Sequence, residues 1–103
     1  MAHKEYIRML TDEDRIRCEI TISKGKVVKF LVQYEAFIYN MWQAIARYDT
    51  KHDCVHLDLI SQEGTTKKKW FYYMDFNEGL NYAYDDIENN WERYKEKYIA
   101  GDK

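Results

Sequence analysis

The residues best suited to chemistry lie in one short segment, between Arg47 and Asp58. These twelve residues include one arginine, three aspartates and two histidines. Arginine binds phosphate or carboxylate through a planar fork of N–H donors, and histidine exchanges protons near neutral pH. The combination predicts a site that binds and cleaves a phosphodiester, with Arg47 holding the phosphate and its developing charge.

Each remaining polar residue of the segment has a predicted role in that reaction. His52 and His56 would act as base and acid on the ribose 2′-hydroxyl and the leaving oxygen, and Asp49 and Asp58 would orient them. The sequence assigns no cofactor. In one extended strand the two histidines would lie about 13 Å apart, too far to share a metal ion. His56 and Asp58 alone are compatible with one ion, but the prediction is a metal-independent site.

The same residues also have plain structural interpretations. Arg47 and Asp49, two residues apart on a strand, often form a surface ion pair, and a histidine beside a turn often only hydrogen-bonds the loop. The lysines at 67–69 could protect an edge strand from pairing with another chain. The sequence therefore leaves open whether the chain is an enzyme.

A sheet must position this segment, because β-prone runs separated by turn residues fill most of the chain. The predicted strands cover about 4–10, 15–22, 27–37, 42–49, 54–60 and 66–74. Asp75 and Glu78 then have capping-box spacing, and apolar residues recur at helical steps to Tyr98. The predicted fold is α+β, one domain over 1–103: a twisted antiparallel sheet of about six strands, at about 4–74, with one long C-terminal amphipathic helix, at about 76–99, packed on one face.

Loop lengths decide which residues face away from the helix. We expect three-residue loops at 24–26 and 39–41 and a four-residue loop at 50–53. The helix side then carries Val28, Phe30, Val32, Tyr34, Trp42, Ala44, Ala46, Tyr48, Val55, Leu57, Leu59, Trp70 and Tyr72. The other side carries a row made of Arg17, Gln33, Arg47 and His56, with Asp49, Asp58, Lys67, Lys69, Phe71 and Tyr73 nearby.

The residues near that row predict how RNA would be bound. Phe71 and Tyr73, alternating with Lys67 and Lys69, would form a stacking platform with a basic rim. The alternative is that the two aromatic residues cover the sheet or a contact between two copies of the chain.

Composition limits the environment and the partners. Residues 1–74 carry 12 lysines and arginines against 10 acids, whereas residues 75–103 carry 4 against 8. No stretch approaches the length of a bilayer span, so we expect a cytoplasmic protein with no membrane partner. The two cysteines are expected to be free. The ten tyrosines favour half-buried surfaces that could bind a partner. The expected partners are RNA, a protein partner and a second copy of the chain in a homodimer.

The segment from Trp42 to Asp58 and the residues Asn90 to Tyr94 resemble an uncharacterised family of small prokaryotic and phage proteins with an R-Y-D-T-x-H-x-x-x-H core. That resemblance covers nearly the whole chain and implies no activity. The Trp42 to Asp58 segment is also distantly similar to the TumE-type toxins of bacterial toxin–antitoxin pairs, which are thought to act on RNA. Those toxins carry a denser histidine cluster after the aspartate than His52 and His56.

Three hypotheses follow from the sequence. The first is a small RNA-directed protein, a toxin-type metal-independent endoribonuclease centred on Arg47, His52 and His56. The alternative is a non-catalytic protein-interaction module, such as an antitoxin or a phage or mobile-element accessory protein. The third is a ligand or metal sensor on the same sheet face.

Overall fold

The strands form one antiparallel sheet in chain order, and the single long helix follows them. The computed structural model describes residues 1–101. The sheet has the order β1-β2-β3-β4-β5-β6, which confirms the predicted α+β fold. The strands and the helix are β1 (Ala2–Thr11), β2 (Asp14–Ser23), β3 (Lys26–Ile38), β4 (Met41–Asp49), β5 (Val55–Ile60), β6 (Thr66–Phe71) and α1 (Phe76–Ala100), with one turn of 3-10 helix at Lys51–Asp53.

The helix packs on one side of the sheet, here called the helix face. The other side, the open face, is covered by no element of residues 1–101. The Asp75 carboxylate accepts a hydrogen bond from the Glu78 N–H, as the capping spacing predicts. The core lies between α1 and strands β2 to β6. It contains Ile16, Cys18, Phe30, Val32, Tyr34, Ala36, Ile45, Ala46, Tyr48, Val55, Leu57, Phe71, Ala83, Ile87 and Tyr98.

The β2–β3 and β3–β4 hairpins have two-residue turns, not the predicted three. Lys24 and Gly25 have φ values of 53° and 76°, and Tyr39 and Asn40 have 56° and 62°. Positive φ at both central residues matches the right-handed twist of paired strands, which makes such short turns favourable. The predicted loops were therefore one residue too long.

Two irregularities restore the predicted register in the middle of the sheet. Val28 is the extra residue between the pairs Ile22–Val27 and Thr21–Lys29. Likewise Ile45 is extra, because Tyr34 pairs with Ala46 while Glu35 pairs with Ala44.

The bulge at Ile45 also corrects two predicted positions. Trp42 and Ala44 were expected on the helix face, but between the bulge and the turn the alternation is reversed and they lie on the open face. The Arg15 guanidinium accordingly stands 3.9 Å from the centre of the Trp42 ring.

The predicted pairing of β4 with β5 was wrong by two residues. Asp49 pairs with His56 and Arg47 with Asp58, whereas the predicted four-residue loop would pair Asp49 with Cys54. A shift of two keeps every side chain on its face. His56 therefore lies opposite Asp49 rather than opposite Arg47.

The predicted faces of β6 were reversed. Val55 pairs with Phe71 and His56 with Trp70, which places Phe71, Lys69 and Lys67 on the helix face. The five residues 61–65 connect β5 to β6, as the predicted strand bounds require. With Ile60 paired to Thr66, this loop places Phe71 rather than Trp70 on the same face as Val55 and Leu57. Tyr72 and Tyr73 lie beyond the strand, in a turn. Within residues 1–101, no helix is long and apolar enough to cross a membrane.

Candidate functional site

Two neighbouring rows of polar side chains cross the open face. In the first, each residue is paired with the next across adjacent strands: Arg17, Gln33, Arg47, Asp58 and Lys68. The second row contains Glu19, Leu31, Asp49, His56 and Trp70. The sheet therefore brings six of the predicted residues together on one face: Arg17, Gln33, Arg47, Asp49, His56 and Asp58.

His56 lies in the second row between Asp49 and Trp70, buried and only 1% exposed. Its Nε2 atom is 3.0 Å from an Asp49 carboxylate oxygen and 3.7 Å from an Asp58 oxygen. On the other side of the ring, Nδ1 is 3.2 Å from the Cys54 carbonyl oxygen. Both ring nitrogens thus face oxygen atoms that accept hydrogen bonds.

Neighbouring groups fix the two carboxylates. An Asp49 oxygen accepts a 3.0 Å hydrogen bond from the Lys51 backbone N–H. The second Asp58 oxygen accepts one of 2.8 Å from the Lys68 ammonium. The imidazole and the carboxylates therefore form a positioned cluster, here called the Asp–His–Asp cluster: Asp49, His56 and Asp58.

Arg47 is anchored by its inner nitrogen. Its Nε donates to the Gln33 side-chain oxygen at 2.6 Å, and its terminal amino groups form no hydrogen bond or ion pair with another described residue. Arg47 is half-buried. The terminal N–H donors of a held guanidinium can bind an incoming phosphate or carboxylate.

A buried carboxylate extends this network and was missed from the sequence. Glu35 is 5% exposed and accepts hydrogen bonds from the Arg15 Nε at 2.7 Å and from the Gln33 amide. Gln33 therefore links Glu35 to Arg47. The signal that could have found Glu35 is its position in β3, two residues from Gln33 on the same face.

An aromatic pair borders the cluster on the β6 side. The Trp70 ring centre is 4.8 Å from that of His56, and Tyr72 stacks on Trp70 at 6.0 Å with 12° between the planes. Tyr72 is 79% exposed. This pair takes the place of the predicted Phe71 and Tyr73 platform, because β6 directs Trp70 rather than Phe71 toward the open face.

The predicted platform residues lie elsewhere. Phe71 is 2% exposed in the core, where its ring packs against Tyr48. Tyr73 is exposed in the turn after β6. Lys67 and Lys69 lie on the helix face, so Lys68 is the lysine of this group that reaches the site.

Two other predicted residues are not part of the Asp–His–Asp cluster. His52 is exposed in the 3-10 turn, where its φ is 67°, and it forms no hydrogen bond with the buried His56. Arg17 forms an ion pair with Glu19, and this hydrogen bond holds the pKa of the Glu19 carboxyl below its usual range. The terminal N–H donors of Arg47 are therefore more available to a ligand than those of Arg17.

A hollow of about 500 Å³ opens beside the cluster, at the edge where Asp49 lies. Its polar lining carries both signs of charge, which suits a ligand with several hydrogen-bonding groups. The polar residues include His3, Glu19, Thr21, Lys29, Asp49 and Lys51.

Comparison with protein families decides where the chain belongs. The profile of a domain of unknown function, DUF7718, matches residues 1–103. The chain belongs to the DUF7718 family. No curated protein and no solved structure matches it. The match agrees with the expected membership in an uncharacterised family, and the DUF7718 domain spans all the elements that position the site.

Proposed function

We propose that the chain is a small RNA-directed protein of the toxin type, which binds RNA on the open face and cleaves the backbone beside Arg47. The observation that carries the proposal is the hydrogen bonding of the Arg47 side chain. Gln33 holds its Nε, and its terminal N–H donors stand free beside the Asp–His–Asp cluster. Such donors stabilise the charge that develops on a phosphoryl group during cleavage.

The open face also offers a surface for the bases. The exposed Tyr72 ring stacks on the half-buried Trp70, and an exposed aromatic face can accept a base of any identity. From the strand pairing, the Cα atoms of Arg47 and Trp70 are about 12 Å apart. One short stretch of single-stranded RNA could therefore contact both.

The resemblance of residues 42–58 to TumE-type toxins supports the choice of RNA. The Arg-Tyr-Asp sequence at 47–49 supplies the arginine and one carboxylate of the proposed site. The two predicted histidine roles differ in support, since His56 belongs to the cluster whereas His52 is exposed in the turn. We therefore place the chemistry at Arg47 and the cluster rather than at a pair of histidines.

Cleavage of a mixed RNA substrate by the wild type and by Arg47→Gln tests the proposal. We expect the variant to lose at least about 100-fold in cleavage rate, because a donor to the developing charge is removed. Arg93→Gln is the matched control, since Arg93 is exposed on α1. An inert wild type, or equal rates for wild type and Arg47→Gln, would contradict the proposal.

A second candidate function, a protein-interaction module, is favoured by the exposure of β1 at the edge of the sheet. This ten-residue edge strand is exposed along nearly its whole length, and an unpaired edge is a template for another strand. A second copy of the chain could pair with this strand. In an antiparallel pairing centred on Ile7, Tyr6 lies opposite Arg8 of the other copy, and no two residues of like charge lie opposite each other.

The mass of the protein in solution tests this candidate. Light scattering at micromolar concentration should report twice the chain mass if β1 pairs with itself. A monomer under those conditions would contradict the pairing, and it would leave the RNA proposal unaffected.

A further inference from the structure

We infer that the Asp–His–Asp cluster binds one divalent metal ion of the Mn²⁺ or Zn²⁺ class, held by His56 Nε2 and one oxygen each from Asp49 and Asp58. The inference deepens the proposed function and rests on it for the ion's role, but not for the ion's binding. It is argued below from geometry, from the orientation of the imidazole and from charge.

The three ligand atoms already have the spacing of a chelating site. Metal bonds of about 2.1 Å place neighbouring ligand atoms about 3.0 Å apart in octahedral geometry and about 3.4 Å apart in tetrahedral geometry. The observed separations of 3.0 Å and 3.7 Å from Nε2 to the two carboxylates bracket these values. All three atoms lie within 4.8 Å of one another. An ion could enter with small movements of the side chains.

The imidazole is oriented as in a metal ligand. Because the Cys54 carbonyl can only accept a hydrogen bond, Nδ1 carries a proton and donates to it. In a neutral ring, the lone pair of Nε2 then points toward two carboxylates. A metal-bound histidine commonly donates its other N–H to a backbone carbonyl in the same way.

The arrangement of the carboxylates favours a cation at this point. Asp49 and Asp58 each direct an oxygen atom at His56 Nε2, so two negatively polarised groups converge on one position. A metal ion at that position would contact all three ligand atoms. The side chain of His56 is almost fully buried, whereas that of Asp49 is 15% exposed and lines the adjacent hollow, so an ion would enter from the Asp49 side.

The ligand set indicates the class of ion and its use. Carboxylates favour Mn²⁺ or Mg²⁺ and imidazole favours Zn²⁺ and related ions, so a site with one imidazole and two carboxylates suits Mn²⁺ or Zn²⁺. Three protein ligands leave positions open for water or for a phosphate oxygen. Such an ion polarises a phosphoryl group or activates a water molecule beside Arg47.

The test titrates Mn²⁺ into chelator-treated full-length protein, follows free Mn²⁺ by electron paramagnetic resonance, and then adds Zn²⁺ as a competitor. We expect one equivalent to bind, and Asp49→Asn and His56→Gln to weaken binding at least about 100-fold. Circular dichroism checks that each variant is folded. A wild type that does not bind the ion overturns the inference without relying on any variant.

Two control variants locate the ion. Asp53→Asn removes an exposed acid next to the site. His3→Ala removes one member of a second group of potential metal ligands, which also contains Glu5 and Glu19. Both should bind as the wild type does. Binding that is lost in His3→Ala, or unchanged in Asp49→Asn and His56→Gln, would overturn the inference.

The titration contains no RNA, so its result separates the two proposals. Ion binding without RNA cleavage would support the metal site and contradict the proposed function. RNA cleavage by a protein that binds no ion would support the proposed function and overturn the metal site.

Discussion

His56 and Arg47 share one face but differ in what their surroundings leave free. The polar atoms of His56 all face protein oxygens, and its ring packs against Trp70. Arg47 uses one nitrogen for Gln33 and keeps its outer donors. At the residue scale, a substrate phosphate is therefore expected to bind at Arg47. His56 is expected to act through the metal ion that it is proposed to bind.

Another buried carboxylate, Asp14, lies outside the candidate site and is expected to contribute to stability. Thr11 and Tyr34 hydroxyls donate to it at 2.5 Å and 2.6 Å, and the Lys95 ammonium lies 3.1 Å away. Burial alone would raise the pKa of Asp14, but these hydrogen bonds and the ion pair hold it below its usual range. Asp14 thereby connects the β1–β2 turn to α1.

Asp14→Asn is predicted to lower the free energy of unfolding at pH 7 by about 1–3 kcal/mol, as expected for hydrogen bonds to a buried charge. Because the folded pKa lies below the unfolded value, near 4, this stabilisation is complete above pH 4 and is lost as pH falls through the folded value. Urea unfolding at pH 7 and pH 3 measures it. Asp12→Asn, at an exposed site, should change little, and an Asp14 effect independent of pH would contradict the explanation.

At the element scale, α1 approaches β5 closely where a glycine allows it. A Cβ atom at Gly79 would lie 2.6 Å from a Val55 methyl carbon and 3.4 Å from the Phe30 ring. Glycine in a helix is normally about 1 kcal/mol less favourable than alanine. Here the absence of a side chain allows the first turn of the helix to contact the sheet.

Gly79→Ala is therefore predicted to destabilise the protein by about 1–3 kcal/mol, despite its better helix propensity. In a Val55→Ala background the same change should cost less, since the clashing methyl groups are gone. A double-mutant cycle of thermal or urea unfolding measures this coupling. Stabilisation by Gly79→Ala in the wild-type background would show that α1 lies farther from β5.

The strands and the helix start were predictable because they depend on local signals. Alternation in β2 and the cap at Asp75 are features of a few neighbouring residues. Asn40 and Gly25 favour positive φ, but Lys24 and Tyr39 do not, so the two-residue turns were missed. The two bulges then compensated for the missed turns, and Gln33 was correctly placed opposite Arg47.

The site itself was only partly predictable for the same reason. Residues Asp49, His56 and Asp58 were expected on one face, but a two-residue error in loop length hid the pairing of Asp49 with His56. The loop at 61–65 was predicted with its observed bounds, but the faces of β6 were assigned one residue out of step with it, which exchanged Phe71 for Trp70. Pairing across strands depends on loop conformation, which short sequence patterns specify weakly.

At the scale of the whole molecule, the helix keeps most of the acidic C-terminal charge away from the proposed site. Residues 75–103 carry eight acids, and α1 lies on the face opposite Arg47. An RNA strand that approaches the open face would therefore meet the cations at Arg47 and Lys68 with the sheet between it and the helix. Local contacts, rather than a broad basic surface, should dominate binding.

The three tryptophans provide a direct test of where RNA binds, because each reports on a different region. Trp70 lies beside His56, Trp42 lies under Arg15 near the β3–β4 turn, and Trp91 belongs to α1 and packs on Tyr34 of the sheet. Their indole N–H signals can be followed separately by NMR during titration with a short 2′-O-methyl oligoribonucleotide.

We predict that the Trp70 signal shifts on titration while the Trp91 signal stays in place, and that Arg47→Gln weakens the response. A shift at Trp91 without one at Trp70, or no shift at any tryptophan at millimolar oligonucleotide, would contradict RNA recognition by the open face.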